Sequence, residues 1–189
     1  MNKILLVHGI FSSGASSVDL LIPLLRERQS EPMDFNYWPN DLLAARFLNR
    51  RRARQVASLA QKAGVAVGVG HSNGCTILHS AARKGAGFSL LIFVNPALDS
   101  RPKPLPPEVE RIYVLHARDD VATWVAKFLL FHPWGDMGRN GYQGPEQRWI
   151  NLDVGLGKVW SVWRRANGYR DVSVWYFRPD DSAHGHGGA

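Results

Sequence analysis

A three-layer α/β/α sandwich around a mostly parallel central sheet is the fold class this sequence predicts. Short apolar runs of strand length alternate with longer amphipathic stretches of helical period, and the connections between them are short. At 189 residues the chain forms a single domain, 1–189, able to bury roughly two thirds of its unfolded surface. With 45% hydrophobic and 21% charged residues it has the composition of a globular protein, which excludes disordered, collagen-like and disulfide-scaffold classes.

Taken in order, "KILLVHG" (3–9) is a continuous apolar run ending in glycine, the pattern of a strand buried on both faces. "SVDLLIPLLRERQ" (17–29) reads as a helix with Pro23 in its first turns, where a missing N–H is tolerated. The aromatic-rich "MDFNYWP" (33–39) suits a strand. "DLLAARFLNRRRARQVASLAQKAG" (41–64) follows as one long or broken helix, capped by Asn40 or Asp41 and stopped by Gly64. A strand "VAVGVG" (65–70), a helix "NGCTILHSAARKG" (73–85) and a strand "SLLIFVNPA" (89–97) come next. The proline-rich "RPKPLPPEVE" (101–110) is an irregular connection to the strand "RIYVLHA" (111–117) and a helical "VATWVAKFLLF" (121–131). Beyond these, "HPWGDMGRNGYQGPEQ" (132–147) reads as a long loop. "RWINLDV" (148–154), a helix at 157–168, a strand "DVSVWYF" (171–177) and a histidine-rich tail complete the chain.

The single cysteine, Cys75, permits no intramolecular disulfide and no cysteine cluster for a metal, and no cofactor is expected. The N-terminal run "ILLV" is too short for the apolar core of a secretory signal, so a cytoplasmic location is the expectation. No segment approaches the ~20 apolar residues that span a bilayer. The formal charge of +7 is concentrated in "RFLNRRRARQ" (46–55), which reads as a solvated helix face. Weak binding to an anionic surface is the alternative; no nucleic-acid motif accompanies the charge, and no nucleic-acid partner is expected.

In an open α/β sheet, ligands bind at the carboxyl ends of the strands, and reactive side chains follow strands at three places. In "VAVGVGHSNGCT" (65–76), Ser72 stands between Gly70 and Gly74 where a strand turns sharply into a helix. Such a turn forces its central residue into a strained conformation, makes bulky neighbours collide and presents the hydroxyl as a nucleophile. It also brings the positive end of the helix dipole and the Asn73 N–H near any oxyanion formed on the attacked carbonyl. A serine hydroxyl needs a base, and the imidazole that serves needs a carboxylate partner. Asp120, after the strand at 111–117, is the favoured carboxylate, with Asp119 the alternative. His184 in the tail is the favoured base, with His186 the alternative. His71 reads as local packing, His8 as a structural partner of the loop after the first strand, and His79 and His116 as structural.

With "LLVHGIFSSG", "VGVGHSNG", "YVLHARDD" and the late histidines in place, the chain resembles the α/β-hydrolase superfamily over nearly its whole length. It is similar to the small lipase and esterase members that lack a large cap domain. The resemblance implies the α/β-hydrolase fold and a second oxyanion N–H from Ile10, beside that of Asn73. It implies the chain order nucleophile, acid, base found here.

The expected activity is that of a serine hydrolase cleaving carboxylic esters of small molecules through an acyl-enzyme, with short or medium acyl chains favoured. Amide or thioester cleavage by the same groups is one alternative, and a non-catalytic binding module using the basic surface is another. The 132–147 loop lies where a cap is often inserted. Trp134, Met137 and Tyr142, together with Phe11, are the expected walls of a substrate pocket.

Overall fold

The protein is described by a computed structural model covering residues 2–10, 21–37, 42–118 and 135–154. Among the described residues six strands form one sheet: β1 (Asn2–Val7), β2 (Ser30–Phe35), β3 (Val67–His71), β4 (Leu90–Val94), β5 (Arg111–His116) and β6 (Trp149–Asp153). Their spatial order is β2-β1-β3-β4-β5-β6, and every neighbouring pair is parallel. Helices α1 (Leu21–Glu27), α2 (Leu42–Ala63) and α3 (Asn73–Ala82) follow β1, β2 and β3 respectively, and a four-residue helical turn, α4 (Met137–Asn140), precedes β6.

The continuous apolar character of β1 has a direct cause: Leu5, Leu6 and Val7 are all fully buried because both faces of the sheet are covered. Leu5 and Val7 join the main core with Ala53, Val56, Ala57 and Ala60 of α2 and Ile77, Leu78 and Ala81 of α3. Leu6 points the other way, packing with Val69 and with Ile22 and Leu25 of α1. Helices on both faces of a parallel sheet make the expected three layers.

Element boundaries follow local chemistry. Pro23 stands in the first turn of α1, where no intrahelical partner for its nitrogen is needed. Helix α2 runs unbroken until Gly64 (φ 65°), where Val65 N–H donates to the Ala60 carbonyl at 2.9 Å. The second strand starts earlier than its aromatics suggest and contains Pro32; among the described residues β2 is an edge strand, where a missing donor is tolerated. Asn36 and Tyr37 leave the ladder instead of extending it. The strand predicted over 89–97 ends at Val94, because Asn95 adopts a left-handed conformation (φ 44°).

The basic run on α2 is divided. Arg50, Arg51 and Arg54 are exposed, as a solvated face requires, but Arg52 is buried with its guanidinium 4.3 Å from the centre of the Tyr37 ring. Arg148 gives the irregular 101–110 connection its anchor. Its guanidinium donates to the carbonyls of Leu105, Pro106 and Val109 at 2.7–2.8 Å and to Glu146 at 2.6 Å. The predicted helices at 121–131 and 157–168, the strand at 171–177 and the tail lie outside the described residues.

Candidate functional site

The carboxyl edge of the sheet converges on Ser72. This residue joins β3 to α3 with φ 52° and ψ −118°, a left-handed conformation that a serine adopts only when its surroundings compel it. They do so through the backbone: Ser72 N–H donates to the Val94 carbonyl at 3.0 Å. Its own carbonyl accepts from Cys75 N–H at 3.1 Å and Ala97 N–H at 3.2 Å. A serine at a helix N-cap ordinarily turns its hydroxyl back onto an exposed N–H of the first turn; Ser72 makes no such side-chain bond. Its hydroxyl is therefore placed by the turn and not spent on capping.

The glycines around it leave no room for a side chain. A Cβ on Gly70 would stand 2.9 Å from the Cys75 nitrogen, and one on Gly74 would collide with the Val7 carbonyl oxygen and lie 2.7 Å from that of His8. Backbone contact between the start of α3 and the end of β1 is thus what Gly74 permits. Gly9 extends the same closeness: its Cβ position is 3.1 Å from Ser72 Cβ. The Gly9-Ile10 loop consequently runs beside the serine. The Ile10 side chain packs against Ala45 and Ala97.

A buried polar network backs this turn. His8 Nδ1–H donates to the Gly9 carbonyl at 2.7 Å, its Nε2 lies 3.2 Å from Asn36 Oδ1, and its ring stacks on Tyr37 at 4.3 Å between centres. In a trans peptide the carbonyl and the N–H point opposite ways, so fixing the Gly9 carbonyl also fixes the Ile10 N–H. The Tyr37 hydroxyl donates to the His8 carbonyl at 3.0 Å and accepts from Asn73 Nδ2 at 3.3 Å. Asn73 and Asn49 exchange reciprocal amide hydrogen bonds: Asn49 Nδ2 donates to Asn73 Oδ1 at 2.7 Å, and Asn73 Nδ2 donates to Asn49 Oδ1 at 3.2 Å. Arg52 Nη1 reaches Asn49 Oδ1 at 3.4 Å. Burial pushes the Tyr37 phenol above its ordinary range, more than the Asn73 hydrogen bond and the Arg52 charge lower it, so Tyr37 is a neutral donor.

Of the predicted site residues, the structure brings together Ser72, Asn73 and the Gly9-Ile10 loop. Asp119, Asp120, His184, His186, Phe11 and Trp134 lie outside the described residues. Met137, expected as a pocket wall, is instead fully buried in the main core and has no surface for a ligand. Tyr142 is half-buried and stacks on Trp149 at 4.4 Å and 7°, while Asn151 holds its backbone N–H and carbonyl at 2.8 and 2.9 Å. Met137 is thus part of the core, and Tyr142 packs against its margin.

The histidines read as structural have structural partners. His116 Nδ1–H donates to the Arg139 carbonyl at 3.2 Å, and His79 Nε2–H to that of Lys103 at 2.9 Å. Cys75, three residues after Ser72, is no rival nucleophile: it is fully buried, and burial pushes its thiol far above the ordinary range. The hydrogen bonds of Tyr37 and Asn49 to Asn73 are contacts that the sequence did not announce. Among the described residues, no group of histidine, cysteine and carboxylate side chains could hold a metal ion, and no helix is long and apolar enough to cross a membrane.

No protein-family model and no curated protein matches the chain. Solved structures do match in shape. A protein from Xanthomonas campestris pv. campestris, assigned to the alpha/beta superfamily of hydrolases, aligns over 88% of this chain and 95% of its own with a TM-score of 0.53 and 19% identity. A gene product of Listeria innocua aligns over 92% of this chain and 96% of its own, with a TM-score of 0.53 and 14% identity. At such identities the likeness is one of fold.

Proposed function

We propose that this chain, which has the α/β-hydrolase fold, is a serine hydrolase that cleaves carboxylic esters of small molecules through an acyl-enzyme. The observation that carries the reading is the conformation of Ser72: a left-handed serine between glycines, at the amino end of a helix, whose hydroxyl does not cap that helix. In this reading Ser72 Oγ attacks the ester carbonyl, and the tetrahedral oxyanion is held by the N–H groups of Asn73 and Ile10. His184, or His186 in its stead, takes the serine proton and returns it to the leaving alkoxide, and Asp120, or Asp119, steadies the imidazolium. Water then repeats the attack on the acyl-enzyme and releases the acid. The proximity of Gly9 to Ser72 and the anchoring of its carbonyl by His8 support the role of the Ile10 N–H. Amide and thioester cleavage share this tetrahedral chemistry and are the alternatives within the same site.

The test is covalent. A fluorophosphonate probe should label Ser72 in the folded protein, located by peptide mass mapping, and Ser72→Ala should lose both labelling and p-nitrophenyl ester turnover while keeping its thermal transition. A folded wild-type protein that resists the probe at Ser72 would favour the binding-module reading and sink the catalytic one.

A further inference from the structure

We infer that Asn49 and Tyr37 are positioning residues for the oxyanion hole, holding its two halves in register from outside the reacting atoms. The inference rests on the serine-hydrolase reading of Ser72 and deepens it. The two expected donors belong to different parts of the chain, Ile10 to the loop after β1 and Asn73 to the start of α3, and a hole works only if both N–H groups aim at one point. Two backbone segments meeting across a glycine contact have no covalent reason to keep that aim. The side chain of Asn73 supplies one, because it carries the same residue's N–H with it when it moves.

Asn73 is clamped on both sides. Its carboxamide pairs with that of Asn49, a residue of α2, through two antiparallel hydrogen bonds of 2.7 and 3.2 Å, which fix its plane as well as its position. Its Nδ2 also donates to the Tyr37 hydroxyl at 3.3 Å, and that hydroxyl donates in turn to the His8 carbonyl at 3.0 Å. A single phenol oxygen therefore links the elbow to the residue before Gly9. The Tyr37 ring cannot rotate away, since His8 stacks on it at 4.3 Å and the Arg52 guanidinium lies 4.3 Å from its centre. Arg52 and Asn49 stand one helical turn apart on α2, so the long helix serves as the rigid wall to which both halves are tied. This also accounts for the burial of Arg52 beside the exposed Arg50, Arg51 and Arg54.

A residue that only stabilised the fold would change the fraction of folded protein, not the rate per folded molecule. The experiment therefore compares Tyr37→Phe and Asn49→Ala with wild type in p-nitrophenyl acetate turnover and in the rate of fluorophosphonate labelling, both normalised to folded protein. Arg148→Ala serves as a variant that loosens the fold away from the site. Removal of a whole oxyanion donor costs about 10² to 10³ in rate; misaiming one should lower kcat by about 10- to 100-fold with KM changed less than about twofold, and slow labelling in proportion. Arg148→Ala should keep the wild-type kcat. Tyr37→Phe retains the stacked ring and decides the matter even if Asn49→Ala does not fold. Wild-type rates in Tyr37→Phe, or a loss confined to KM, would overturn the inference while wild-type labelling leaves the serine-hydrolase reading standing. Absence of labelling in wild type itself would remove both.

Discussion

His79 ties the helix that follows Ser72 to the proline-rich connection from a buried position that disfavours its charged form. Its Nε2–H donates to the Lys103 carbonyl, and burial, which outweighs the favourable pull of that carbonyl, holds its pKa down from 6.5 to about 4. A histidine whose cation is disfavoured in the fold contributes little to pH dependence well above its unfolded pKa of 6.5; as pH falls through 6.5 toward 4 the unfolded chain gains a proton that the folded one refuses, and stability declines. The linkage relation with these two values gives a loss of about 2.5 kcal/mol between pH 8 and pH 4.5, with most of it below pH 6. His79→Gln removes this titration, and with it that part of the pH dependence. Urea unfolding of both proteins at pH 8, 6 and 4.5 isolates the effect, since all other titrating groups cancel in the difference. Wild type should hold its largest advantage at pH 8, and the gap should shrink by about 2 to 3 kcal/mol by pH 4.5. A difference between the two proteins that stays flat across these pH values would refute the argument that burial of His79 excludes its charge.

Two further variants probe the elbow. Gly74→Ala forces a methyl group onto the Val7 and His8 carbonyls, both backbone atoms that cannot yield, and should destabilise the protein by about 3 kcal/mol with loss of ester turnover; a transition within 1 kcal/mol of wild type in urea would show that β1 and α3 do not meet as closely as described. Asn95 combines a left-handed backbone with a buried Oδ1 that has no hydrogen-bond partner among the described residues, so Asn95→Gly, in which relief of strain and of the unpaired oxygen outweighs the added freedom of the unfolded chain, should raise stability by roughly 1 kcal/mol. An unchanged or lowered transition temperature would show that the carboxamide is satisfied in solution.

The elbow was legible in the sequence because its constraints are local. Gly70, Ser72 and Gly74 must sit within five residues for the bend to form, and an apolar strand and an amphipathic helix must flank them. The strand-helix alternation was legible for the same reason: burial on two faces writes a continuous apolar run into β1, and burial on one writes a stripe into α2. Boundaries were harder where a single residue decides. Asn95 looks like a continuation of β4 until its φ is known, and Pro32 looks like a barrier until β2 is seen at the edge of the described strands. Met137 is a core residue and not a pocket wall, because an apolar side chain in a glycine-rich stretch has the same sequence appearance whether it faces a cleft or enters the core.

The polar network behind the elbow was illegible for a different reason. Asn49 and Asn73 are separated by 24 residues and Tyr37 and Asn73 by 36, and none of the three stands in a pattern that announces its partner. Arg52, in a run of arginines, carries no mark that distinguishes it from Arg50 or Arg51. What selects these residues is the closed geometry of α2, β1 and α3, in which a carboxamide, a phenol and a guanidinium are buried together and must satisfy one another. Buried polar groups cost about 1 to 3 kcal/mol each when unpaired. An apolar cluster of the same shape would avoid that risk, so the network's presence beside Ser72 is explained by direction rather than by stability: hydrogen bonds fix orientation, and van der Waals contacts do not. On the proposed reading the residues least visible in the sequence are those that hold the site's geometry, and a site that must aim two backbone N–H groups at one atom is where such residues are expected.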